Sequence, residues 1–88
     1  MASFHYAFKV KGIESTRHFY VDILGCKEGW SSETWIDFDF FDNQLSAHIS
    51  DKFPKLDYCG KVDGISVPIP HFGCLLDKDE FERIQKKL

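Results

Sequence analysis

The chain opens on a strict alternation. In residues 3–10, SFHYAFKV, Phe4, Tyr6, Phe8 and Val10 share one side, and His5, Ala7 and Lys9 share the other. A period of two predicts a strand with one apolar face. Gly12 ends it. Along IESTRHFYVDILG, Ile13, Phe19, Tyr20, Ile23 and Leu24 fall on one helical stripe. Gly25 stands where a left-handed C-terminal cap belongs, which predicts a helix over about residues 14–24. Residues 26–32 read as a short strand or turn. In residues 33–41, ETWIDFDFF, Ile36, Phe38 and Phe40 alternate with Trp35, Asp37 and Asp39. Asp42-Asn43 signals a turn. Residues 44–50, QLSAHIS, set Leu45, Ala47 and Ile49 against Ser46, His48 and Ser50. The order is β-α-β-β-β.

Residues 1–50 therefore form a first module. Residues 51–65, DKFPKLDYCGKVDGI, mix charge with two glycines and a proline and read as a linker or loop. Residues 66–77, SVPIPHFGCLLD, are extended, and Pro68 and Pro70 confine them to an edge. Asp77 caps a helix whose apolar positions are Phe81, Ile84 and Leu88. His71-Phe72-Gly73-Cys74 echoes His5-Tyr6-Ala7-Phe8 as histidine, aromatic, small, apolar. Residues 66–88 then read as the first strand and helix of an incomplete second module. Such a chain leaves apolar faces uncovered, so self-association is expected, either as a homodimer or by exchange of residues 66–88 between chains.

Composition narrows the class. The 88 residues are 43% hydrophobic and 16% aromatic, enough for one folded domain with a bulky apolar interior. The net charge of −3 argues against nucleic acid as the main partner. No apolar run reaches a membrane span, and the N-terminus lacks a secretory pattern. Cys26, Cys59 and Cys74, odd in number and widely spaced, read as free thiols in a reducing, cytoplasmic setting.

Three histidines carry the candidate chemistry. His5, His48 and His71 each lie in a predicted strand, opposite the bulky apolar side chains. Ala7 and Gly73, two residues on from His5 and His71, leave space beside the imidazoles. Three imidazoles meeting in a cup suit a divalent metal. Each histidine taken alone reads first as a partly buried polar group bonded to backbone, since no local ligand spacing supports a metal. Asp37 and Asp39 either face the same cup or form a solvated strand face. His18 reads as surface or packing, and Cys26 as packing rather than nucleophile. There is no phosphate loop, nucleophile elbow or zinc-finger spacing.

The order βαβββ, the histidine in the first strand, the phrase Thr16-Arg17-His18-Phe19-Tyr20…Leu24-Gly25 and the phrases WIDFDFF, NQLSAH and VPIPHFG together resemble the vicinal oxygen chelate superfamily. That group comprises glyoxalases, bleomycin-resistance proteins and extradiol dioxygenases, and the extradiol-dioxygenase-like or glyoxalase-like branch is nearest. The resemblance implies an α+β fold, a sheet cup built from two βαβββ modules with the second cut short here. It maps metal ligands onto His5, His48 and His71, with a fourth, a glutamate, beyond Leu88. It implies Fe(II) first, with Ni, Zn or Mn as alternatives. The implied activity is dioxygenase-like, on a small molecule that chelates the metal through neighbouring oxygens. A glyoxalase-type lyase or isomerase, or a non-catalytic small-molecule-binding protein, is the alternative. Gly12 stands where the family often has aspartate. A further reading is that the 88-residue chain is incomplete and inactive alone.

Overall fold

The computed structural model describes residues 3–53, 59–69 and 71–88. Strand β1 is His5–Val10, followed by α1, Ile13–Arg17, which runs directly into a wider π-helical stretch, His18–Ile23. Then come β2 (Lys27–Ser31), β3 (Trp35–Phe40), β4 (Asn43–Ile49), β5 (Cys59–Val62), β6 (Ile65–Pro68) and α2 (Lys78–Lys87). The first four strands form one mixed sheet in the order β1-β4-β3-β2. β1 and β4 are parallel, and β4, β3 and β2 are antiparallel neighbours. The α+β βαβββ module read from the sequence is the observed architecture.

Alternation decides which face is buried. Ile36, Leu45 and Ala47 are fully buried, and Phe38 and Phe40 nearly so. All five lie on one face, and the helical layer covers it. Tyr20 stacks on Phe38 with ring centroids 4.9 Å apart and also meets Phe8 at 6.0 Å. Offset and tilted aromatic pairs of this kind add to the burial of their area. Burial pushes the Tyr20 hydroxyl pKa above its ordinary value. Cys26 joins the same core.

The helix closes as its glycine requires. Gly25 has φ +78°, and its N–H donates to the Val21 carbonyl while the Cys26 N–H donates to that of Tyr20. The five-residue reach from the Leu24 N–H to the Phe19 carbonyl belongs to the wide π-helical turn, which an apolar stripe alone cannot distinguish from an ordinary helix.

Three details differ from the sequence reading. The β3–β4 turn is centred on Phe41 and Asp42, both with positive φ, one residue earlier than Asp42-Asn43. The register pairs Phe40 with Asn43, so a two-residue turn of the mirror-image type fits, and Asn43 serves as its brace through donors to the Phe40 and Phe41 carbonyls. Residues 51–65 are not all linker, because β5 and β6 form a separate antiparallel hairpin around Asp63 and Gly64. Asp-Gly between Val62 and Ile65 is the hairpin signal that the mixed composition concealed. The rest of that stretch, residues 54–58, and Pro70 lie outside the described residues. Finally, residues 71–77 join no strand. Phe72 instead plugs the apolar face of the first sheet, with its ring 4.9 Å from Tyr6, 5.8 Å from Phe8 and 6.1 Å from Phe40.

α2 begins at Asp77, whose side chain accepts from the Glu80 N–H, as its sequence position predicts. Arg83 and Lys87, one turn apart, donate to the carbonyls of Leu24 and Asp22 at the end of the π-helical stretch. These donors satisfy carbonyls that a helix end leaves open. Ile84 is buried, whereas Leu75, Phe81 and Leu88 remain exposed.

Candidate functional site

The sheet has a second face, and it is polar. Register aligns it in transverse rows. His5, Gln44, Asp39 and Lys27 form one row across β1, β4, β3 and β2. Ala7, Ser46 and Asp37 form the next. Lys9, His48 and Trp35 form the third. Alternation put each of these residues on its strand's polar side. Only strand pairing makes them neighbours.

Asp37 ties the middle of this face together. Its Oδ1 accepts from the Ser46 hydroxyl at 2.6 Å and its Oδ2 from the Gln44 amide nitrogen at 3.4 Å. Ser46 is only 5% exposed, so its hydroxyl needs this partner. Asp39 accepts from the Asp42 N–H and so braces the β3–β4 turn. Gly29 lies alongside Asp37: a Cβ there would sit 3.4 Å from the Asp37 Cβ. An open cleft of about 410 Å³ lies over this end of the face, lined by Gly29, Trp30, Asp37, Asp39, Asn43 and Gln44 among others. Trp30 is 81% exposed at its rim. Smaller side chains at Ala7, Ser46 and Gly29 floor the region between the outer rows.

A second cleft, of about 420 Å³, lies between the π-helical end and α2, lined by Gly25, Cys26, Lys27, Asp39, Glu80 and Arg83 among others. Its cysteine is no nucleophile at neutral pH. Burial, with smaller contributions from Asp39 and Cys74, pushes the Cys26 thiol up to about 11, against an opposing pull from Arg83.

The structure does not bring the three histidines together. His5 and His48 share the polar face but stand four register positions apart on adjacent strands. His71 is exposed, and its Nδ1 meets the Pro68 carbonyl at 2.7 Å. Phe72, the next residue, packs on the opposite face from the one that carries His5. Among the described residues no three histidine, cysteine, aspartate or glutamate side chains are grouped so as to hold a metal ion. The described residues therefore do not fit the three-histidine centre that the resemblance implies. His18 is exposed beside Asp22, at 3.0 Å, away from the polar face.

Two features of this face escaped the sequence reading. Gln44 is the in-register neighbour of His5. Gly29 stands in the cleft wall, on a strand whose residues are all exposed. For Gln44, the only signal is its place two residues before Ser46 on the same face. Its pairing with His5 is a long-range parallel contact that no local pattern encodes.

No helix among the described residues is long and apolar enough to cross a membrane. No protein-family model matches the chain. No curated protein matches it significantly. Solved structures do. A glyoxalase/bleomycin resistance protein/dioxygenase from Alicyclobacillus acidocaldarius superposes with a TM-score of 0.71 and 31% identity, over 97% of this chain and 59% of that one. An integron cassette protein from the mobile metagenome of V. Cholerae gives a TM-score of 0.57 at 17% identity, over 98% of this chain and 66% of its own. A protein from the mobile metagenome of V. Pseudocholerae gives 0.60 at 19%, over 98% and 66%. The last two show the fold alone, and the chain spans less than two thirds of the length of each of the three. With a βαβββ sheet, a polar face opposite the helical layer and this likeness at 31% identity, the chain has the fold of the glyoxalase/bleomycin resistance/dioxygenase proteins, which supports the vicinal oxygen chelate superfamily.

Proposed function

We propose that the polar face of the four-stranded sheet is one wall of a small-molecule site of the superfamily's cup type. The observation that carries this reading is the Asp37–Ser46–Gln44 hydrogen-bond network, set beside His5 and opening on the 410 Å³ cleft. A few placed polar groups at the floor of a concave surface, with an exposed aromatic at the rim, are what orient a small ligand. The opposite face is filled by Tyr20 and Phe72 and offers no room. The test is a titration of the isotopically labelled chain with a fragment set that includes catechols and other vicinal diols, read by amide chemical shifts. Shifts clustered at Gly29, Trp30, Asp37 and Gln44 support the site. Shifts confined to α2 and the β5–β6 hairpin refute it.

A second reading is a metal-dependent, dioxygenase-like enzyme acting on a molecule that chelates through neighbouring oxygens, with Fe(II) first and Ni, Zn or Mn as alternatives. It is favoured by the 31% identity to a protein described as a glyoxalase/bleomycin resistance protein/dioxygenase and by the place of His5 on the polar face. It requires ligands besides His5 from outside the described residues, supplied by further chain or by a second copy in a homodimer. Oxygen uptake with catechols separates it from a glyoxalase-type lyase, which turns over hemithioacetals instead. Size-exclusion at several concentrations tests the homodimer, and a monomer at every concentration rejects it.

A further inference from the structure

We infer that the site position beside His5 is occupied by Gln44, and that His48 lies outside the site. This rests on the polar face being the site, and it corrects the ligand set that the resemblance assigns to strand β4. At about 3.3 Å per residue, four register positions separate His5 from His48 by about 13 Å along the strands. Two imidazoles on one divalent ion each hold it at about 2.1 Å. Side chains four positions apart on a flat pair of strands do not meet that requirement.

The charges on the two rows point the same way. His48 is flanked in register by Lys9, whose ammonium donates to the Lys52 carbonyl at 3.2 Å, and by Trp35. A positive charge in the same row opposes any added cation. His5 and Gln44 share their row with the Asp39 carboxylate and the Lys27 ammonium, whose charges cancel, whereas the His48 row carries the uncompensated charge of Lys9. Gln44 is also oriented: its amide nitrogen donates to Asp37, and its Oε1 accepts no hydrogen bond among the described residues. The chain thus presents one imidazole and one neutral amide oxygen on neighbouring strands. That is a pair of donors, one short of the smallest protein ligand set of a catalytic divalent metal.

The experiment is a titration of the 88-residue chain with Co(II), followed by calorimetry and by visible absorption of the bound ion, with amide spectra confirming the fold of each variant. Gln44→Glu replaces a neutral oxygen donor by a charged one, and the expected result is at least a tenfold tightening, about 1.4 kcal/mol. Adding His5→Ala abolishes that gain. His48→Ala in the Gln44→Glu background changes the affinity less than twofold. A tenfold loss on His48→Ala overturns the inference, as does a Gln44→Glu variant no tighter than the parent. A gain that survives His5→Ala also overturns it, because the ion then answers to the introduced carboxylate and its acidic neighbours Asp37 and Asp39 without His5. The fragment titration uses no metal, so failure of the cup reading and failure of this assignment are separately visible.

Discussion

Replacing Phe72 by alanine tests the step that decides where His71 goes. The Phe72 ring is 38% exposed and packs on Tyr6, Phe8 and Phe40. With about three fifths of a ring of roughly 200 Å² removed from water, about 120 Å² is buried, worth about 3 kcal/mol at 25 cal/mol per Å². A denatured chain that already hides part of that area lowers the figure to about 2 kcal/mol. An 88-residue domain has about 4–13 kcal/mol of total stability, so the loss is large. If residues 71–88 unfold together with the sheet, urea denaturation of Phe72→Ala shows the whole loss. A melting point lower by about 8–16 °C accompanies it. If the segment opens first, the sheet keeps its stability, and the cost appears as faster amide exchange in α2 with a mutation-induced change of the same size. A variant with unchanged denaturation midpoint and unchanged α2 exchange refutes the packing of this segment on the apolar face. Its His71 would then be free to join the polar face.

The other predictions follow from single contacts. Gly25→Ala places a side chain at φ +78°, with Arg83 guanidinium nitrogens 3.2 and 3.4 Å from its Cβ. The expected loss is about 1–2 kcal/mol in urea denaturation, and a midpoint equal to the parent's rejects the cap. Gly64→Ala carries the same backbone strain but meets open space, so only the β5–β6 hairpin loses exchange protection. Asp77→Ala removes the acceptor of the Glu80 N–H and costs about 1 kcal/mol, read as faster exchange at Glu80 and Phe81. Because its folded pKa is raised to about 11, the Cys26 thiol keeps its proton in the folded chain after the unfolded chain has lost it. Its contribution to stability is therefore complete below about pH 9 and is lost as pH rises from 9 towards 11. Cys26→Ser removes that part of the alkaline slope, and alkylation at pH 8 labels Cys74 well before Cys26.

The elements of the first fifty residues were legible because each is written in a local period. Strands β1, β3 and β4 alternate strictly, and Gly25 marks the helix end. The apolar side of each of these strands became the core side, with Ile49 at the end of β4 left 42% exposed, because a sheet with one covered face has no other way to hide Phe38, Ile36 and Leu45. The β5–β6 hairpin was missed because its Val62-Asp63-Gly64-Ile65 signal is four residues long and sits in a stretch whose composition reads as loop.

What the sequence determined by itself was the element order, the apolar and polar sides of each strand, and the α2 cap at Asp77. Tertiary structure alone decided which polar residues are neighbours. The parallel pairing of β1 with β4 set His5 beside Gln44 and His48 beside Lys9, and a slip of two residues would preserve every alternation while changing both pairs. It also sent Phe72 to the apolar face, where the rings of Tyr6, Phe8 and Phe40 offered more burial than an edge pairing obstructed by proline. Periodicity reports which side of an element faces the core; the distance between two side chains on different elements depends on register, which is fixed only by the packing of the whole sheet.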